Sequence, residues 1–201
     1  MKALTALLLA LAAVMGGILA YRTYAPAALH GTALDTPHAL SSVKLLRDDG
    51  KVADLSDSAG KLRLIFFGFT RCPDVCPITL GVLARAWDGL NAEQKSRLEV
   101  QLVSVDPSFD RPDTLRRYLD AFSPAFRGLT SREAGAAGLS DIQAAEKSLY
   151  VYAAKGGTPG TLIHGDGVAF VDREGRFVRV YDNSAVTRGD LATDLPKLLQ
   201  E

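Results

Sequence analysis

Phe66-Phe67-Gly68-Phe69-Thr70-Arg71-Cys72-Pro73-Asp74-Val75-Cys76-Pro77 joins two differently patterned stretches of the chain. Before it, the nearly unbroken apolar run from Leu62 to Phe67 reads as a strand buried on both faces. After it, Leu80, Leu83, Ala84, Trp87 and Leu90 recur at helical spacing, which predicts a helix over Val75 to Leu90. Pro77 is tolerated only in a first helical turn, where its missing amide hydrogen has no partner to lose, so the helix must begin within Pro73 to Pro77. Cys72 and Cys76, the only two cysteines of the chain, therefore sit where a buried strand hands over to a helix.

Residues four apart at the start of a helix share a side, so the two sulfurs can hold one metal ion or close as a disulfide. Unpaired amides at the helix N-terminus and the neighbouring Arg71 both favour thiolate, which predicts two reactive sulfurs. Asp74 is placed to cap the helix. A disulfide here would close a very short loop and restrict the unfolded chain little, which makes it a poor staple.

Working outward, Val43 to Arg47 and Lys51 to Asp54 flank Asp48-Asp49-Gly50 as an N-terminal hairpin. Glu99 to Val105 reads as a second buried strand, followed by Asp106-Pro107-Ser108. Leu115, Tyr118, Leu119 and Phe122 mark the inner face of the next helix; Arg116, Arg117 and Asp120 fall on its solvated side. Gly167 to Val171 and Phe177 to Tyr181 form a late hairpin around Asp172-Arg173-Glu174-Gly175, and Leu191 to Leu199 supplies a C-terminal helix. Strand, helix, strand, helix predicts an α/β sheet with parallel central strands, whose carboxyl-end loops carry the chemistry. Cys72 and Asp106 lie on two such loops. The glycine-rich loop from Ala154 to Gly167 has the length of a functional loop, and His164 lies near its end.

Before the domain stand two further segments. From Ala3 to Tyr21 the chain carries no charge, and as a helix this run would measure roughly 28 Å, close to a bilayer's hydrocarbon thickness. Its length favours an anchor over 1–24 rather than a cleaved signal peptide. Residues 25–42 are small and proline-rich with no hydrophobic period, and predict a flexible tether in which His30 and His38 are solvated linker residues. The remaining 43–201 forms the folded domain. Of the 201 residues, 47% are hydrophobic, while basic and acidic side chains number 23 each. That balance leaves no electrostatic footprint for nucleic acid.

The segment from Phe66 to Leu80, with Val103-Ser104-Val105-Asp106-Pro107 and a histidine shortly before a hairpin, resembles the Sco/SenC family of membrane-anchored copper proteins. The resemblance implies a thioredoxin-like central sheet flanked by helices. It implies copper, as Cu(I) or Cu(II), held by Cys72, Cys76 and His164, with Asp106 beside the site orienting a ligand or tuning charge. Two sulfurs and one nitrogen suit copper better than structural zinc, which demands four protein ligands, and leave an edge open for transfer. The implied function is a copper metallochaperone that assists assembly of the copper centre of cytochrome c oxidase. Its implied partners are the copper-bearing oxidase subunit and a copper donor. A bacterial cytoplasmic membrane location follows, with the domain facing the periplasm. The alternative is a membrane-anchored thiol-disulfide oxidoreductase using Cys72 and Cys76 to keep partner cysteines reduced.

Overall fold

The computed structural model describes residues 2–24, 28–150, 153–155 and 162–200, with the backbone alone over 2–8, 21–24, 153–155 and 162–164. The chain opens with helix α1 (Lys2–Tyr24) and strand β1 (Thr32–Ala39), followed by the hairpin of β2 (Lys44–Arg47) and β3 (Val52–Asp54). Then come β4 (Leu62–Gly68), α2 (Val75–Asp88), the short α3 (Ala92–Ser96), β5 (Leu98–Ser104) and α4 (Pro112–Asp120). β6 (Arg127–Ser131) and α5 (Gly135–Ser148) precede a small pair, β7 (Ala153–Lys155) and β8 (Leu162–His164). The hairpin of β9 (Val168–Val171) and β10 (Arg176–Tyr181) and the helices α6 (Asn183–Arg188) and α7 (Asp190–Leu198) complete the domain.

Eight strands form one sheet in the order β1-β10-β9-β4-β5-β6-β2-β3. β4, β5 and β6 run parallel, as the alternation of strands and helices predicts, and every other pairing is antiparallel. Every residue of β4 is buried, because the sheet is covered on both faces. On one face Leu64, Phe66 and Leu102 meet Leu80 and Leu83 of α2, Leu115 and Leu119 of α4, and Leu191 and Leu195 of α7. On the other, Ile65, Phe67 and Val103 meet Ile142 and Ala145 of α5. The alternation along β4 thus splits the core into two layers.

Thr32–Ala39 corrects the expected tether. This stretch is an edge strand paired with β10, its register slipping between Ala33 and His38. Pro37 falls inside that irregularity, where a missing amide hydrogen is harmless. Neither histidine is an unattached linker residue, although His30 stays exposed. His30 bonds Asp194 at 2.9 Å from its ring. The His38 Nε2 meets the Ser148 carbonyl at 2.7 Å, with its ring against Tyr150 and Phe177.

Two further expectations are revised. Arg116 is not a free surface charge: its guanidinium meets the Asp48 carboxylate at 2.7 Å and the Phe126 carbonyl at 2.8 Å, and also pairs with Asp120. The glycine-rich loop contains the β7–β8 pair, while residues 156–161 lie outside the described residues.

α1 occupies the predicted anchor segment, and its Leu9, Leu11, Val14, Met15, Ile18 and Leu19 are exposed. Among the described residues, no helix is long and apolar enough to cross a membrane.

Candidate metal centre

β4 ends at Gly68, whose carbonyl accepts the Val105 amide at 2.9 Å, so the strand-end loops carrying Cys72 and Asp106 leave the sheet side by side. A turn in which the Cys72 amide donates to the Phe69 carbonyl at 3.1 Å brings the first thiol back toward the sheet. α2 starts at Val75, within the window set by Pro77, and Cys76 falls in its first turn. Asp74 occupies the cap position, yet its exposed carboxylate accepts no capping hydrogen bond, which corrects the expected cap.

The sulfurs have different surroundings. Cys72 is partly exposed and packs where both core layers meet, whereas Cys76 is fully buried among Leu80, Phe66 and their neighbours. The thiols are hydrogen-bonded to each other and no disulfide joins them. Burial pushes the Cys76 thiol well above its ordinary range, and the Cys72 contact adds to this; a hydrogen bond with the Phe69 backbone pulls the other way. The helix N-terminus does not make Cys76 a reactive thiolate, because desolvation outweighs the dipole in so apolar a site. Reactivity was expected of both sulfurs, and for Cys76 that expectation fails.

Asp106 turns to Arg71 rather than to a sulfur: the two form an ion pair, and the guanidinium also lies 4.2 Å above the Phe109 ring. Its main-chain carbonyl accepts the Phe109 and Asp110 amides, closing the Asp-Pro turn. The buried acid beside the site is Asp110, which the sequence reading passed over. It accepts the Ser104 hydroxyl at 2.6 Å and the Thr70 amide at 3.0 Å, and the Thr70 hydroxyl on its other oxygen. This one carboxyl ties the end of β4 to the end of β5. Burial raises its pKa, against the pull of those hydrogen bonds. Spacing gave no sign of this, since Asp106 and Asp110 look alike until the fold buries one of them.

Tyr118 on α4 lies on the inner face that the helical spacing marks. It packs against the same core layer as Cys76, and its hydroxyl is buried without a hydrogen-bond partner among the described residues. Burial lifts its pKa out of the ordinary phenol range, with Cys76, Cys72 and Asp110 the acidic groups that add to the shift.

For His164 the structure gives the backbone, at the end of β8 opposite Ala153. Its ring lies outside the described residues, among which no group of three or more His, Cys, Asp or Glu side chains could hold a metal ion. What the described residues offer is a soft dithiol with one open sulfur and one shielded sulfur. That donor set fits a thiophilic ion such as Cu(I) or zinc better than any oxygen-seeking cation.

A parallel-centred sheet between helices, with two cysteines between a central strand and the helix that follows, defines a thioredoxin-like α/β protein. The SCO1/SenC family profile matches residues 32–200, and the chain belongs to that family. The solution structure of apo Sco1 from Thermus thermophilus superposes with a TM-score of 0.72 at 34% identity, covering 87% of this chain and 99% of that one. The structure of Bradyrhizobium japonicum ScoI with copper bound gives 0.67 at 30% identity, covering 80% and 99%. A SCO2-like protein of Rickettsia felis is 37% identical over 98 residues, which is 49% of this chain and 47% of the relative. The chain spans about half the length of the first curated relatives it matches.

Proposed function

We propose that this protein is a copper metallochaperone that takes up copper through Cys72, Cys76 and His164 and passes it to the copper-bearing subunit of a terminal cytochrome c oxidase. The observation that carries this is the contact between the two thiols, one buried and one open. Copper is the cargo. Two thiolates would supply soft ligation and His164 the nitrogen, with Cys72 on the side from which a partner's ligands can approach.

Membership of the family and the copper held by the Bradyrhizobium relative support this reading. Exposed Ile78 and Phe109 beside the dithiol give a partner apolar surface to meet. The apolar side chains that α1 exposes favour a membrane anchor, and we place the domain on the periplasmic side of a bacterial cytoplasmic membrane. Thiol-disulfide exchange as the main task has less behind it, because the solved structures that the chain matches include copper-bound ones.

The test is a Cu(I) competition titration of the reduced protein beside Cys72→Ser, Cys76→Ser and His164→Ala. Each substitution should weaken binding by about 100-fold or more, at or beyond the ~10–100-fold typical of losing an outer-sphere partner. Unchanged affinity on loss of either cysteine overturns the reading; unchanged affinity in His164→Ala removes that residue from the ligand set.

A further inference from the structure

The chain enters the domain at the edge of the sheet that carries the dithiol. β1 is antiparallel to β10, β10 to β9 and β9 to β4, so β1 begins where β4 ends. Thr32 stands in register with Val180, Val180 with Ala169 and Ala169 with Ile65, which puts the residues just ahead of Thr32 level with the last residues of β4. Three strand spacings, about 14 Å, separate the two positions across the sheet. The Asn183 side-chain amide donates to the Thr79 hydroxyl at 3.3 Å, so the segment that follows β10 also touches α2 one turn beyond Cys76.

The entering residues are fastened down. The His30 amide and ring nitrogen both meet the Asp194 carboxylate, the His30 and Gly31 carbonyls accept from Arg179 at 2.7 and 3.1 Å, and Leu29 packs on the core layer that includes Cys76. Gly31 turns the chain at φ +66°, where a Cβ would lie 2.8 Å from the Tyr181 ring. α1 ends at Tyr24, so residues 25–29 are all the chain between it and this clamp. A segment of that length averages about 13 Å from end to end, against roughly 23 Å for the height of the sheet along β4. As a free tether, residues 25–42 would average about 23 Å and let the domain turn either edge to its anchor.

We infer that the clamp at His30 and Gly31 holds the Cys72 edge of the domain toward the bilayer, so that the surface around Cys72 and the exposed Ile78 and Phe109 is met by an acceptor standing in the same membrane, with its metal site near the headgroups. This rests on the membrane placement of α1 proposed above. Inverting the domain would stretch residues 25–29 almost straight along the side of the sheet, whereas the upright domain leaves them slack. The opposite edge, with the exposed Glu174 in the turn beyond the amino end of β4, points away from the lipid.

A fluorescent amino acid at Phe109 or at Glu174 of the full chain, reconstituted in phosphatidylcholine vesicles that carry an energy acceptor on the lipid headgroups, tests the orientation. Transfer from position 109 should exceed transfer from position 174. A flexible insert of about 20 Gly and Ser residues after Pro26, adding roughly 25 Å of average reach, should erase that excess. Equal transfer from the two positions without the insert, or greater transfer from 174, overturns the orientation. An excess that survives the insert overturns the role of the clamp. A chain that does not float with the vesicles removes the anchor, and the inference falls with it, while the Cu(I) titration above reads the copper assignment independently.

Discussion

Gly68 shows how tightly the sulfur site is built. A Cβ placed there would lie 2.9 Å from the Cys76 sulfur, 3.0 Å from Phe66 and 3.1 Å from Leu102, so only a bare backbone lets the end of β4 pass under the start of α2. Phe66 and Leu102 are locked in the core layer, which leaves the sulfur as the atom that must give way. Gly68→Ala should therefore lower stability by about 1–3 kcal/mol through overpacking, and weaken Cu(I) binding by displacing Cys76. Denaturant unfolding of the metal-free protein and a Cu(I) competition titration read the two effects. A variant with parental stability would show that the α2 start yields without strain.

β1 matters more than its composition advertises. It is the last strand of the sheet, and it brings two long-range attachments: the His30 ring on Asp194 at 2.9 Å, and His38 on the Ser148 carbonyl at 2.7 Å. Asp194 is fully buried and also accepts the Tyr181 hydroxyl at 2.9 Å, so the entry to the strand is fastened to β10 and α7 together. Burial opposes the Asp194 charge, but hydrogen bonds from His30 and Tyr181 outweigh it and hold the carboxyl below its ordinary range. Removing residues 1–39 should strip β10 of its neighbour and leave Asp194 short of donors. A loss of roughly 5–10 °C in Tm is expected relative to a chain beginning at residue 28, at about 2–4 °C per kcal/mol for a protein of this size. Equal melting temperatures would return the segment to the role of a tether.

For the protein as a whole, the acid most exposed to pH is Glu146 on α5. It is buried, one of its carboxyl oxygens has no hydrogen-bond partner among the described residues, and burial lifts its pKa from 4.5 to about 7. The folded state therefore holds this proton more tightly than the unfolded chain does. Its contribution is fully present below pH 4.5, declines as the unfolded chain ionises, and is gone once pH passes about 7. Glu146→Gln keeps the shape without the charge, so it should stabilise the protein by about 2–3 kcal/mol at pH 8 and change little at pH 4. Urea melts across that range test it; a gain that does not depend on pH would assign the effect to packing instead.

Local pattern was enough for the elements that carry the site. The apolar run of β4, the helical spacing after Cys76 and the position of Pro77 place the cysteines at a strand-to-helix handover, and β5 with its Asp-Pro turn follows by the same logic. These are legible because a buried strand and an amphipathic helix each impose a period on their own residues. β1 and β6 impose none: one is an irregular edge strand containing Pro37, the other the short Arg127–Ser131, and each is defined by the strands it pairs with. Charge state was equally out of reach. The dipole and Arg71 pointed to two reactive thiols, but only three-dimensional packing reveals that Cys76 is desolvated, that Asp110 rather than Asp106 is the buried acid, and that the Tyr118 hydroxyl has been left without a partner. Sequence fixes what a residue can do with its neighbours along the chain, whereas burial and pairing depend on groups dozens of positions away, and those become neighbours only when the sheet closes.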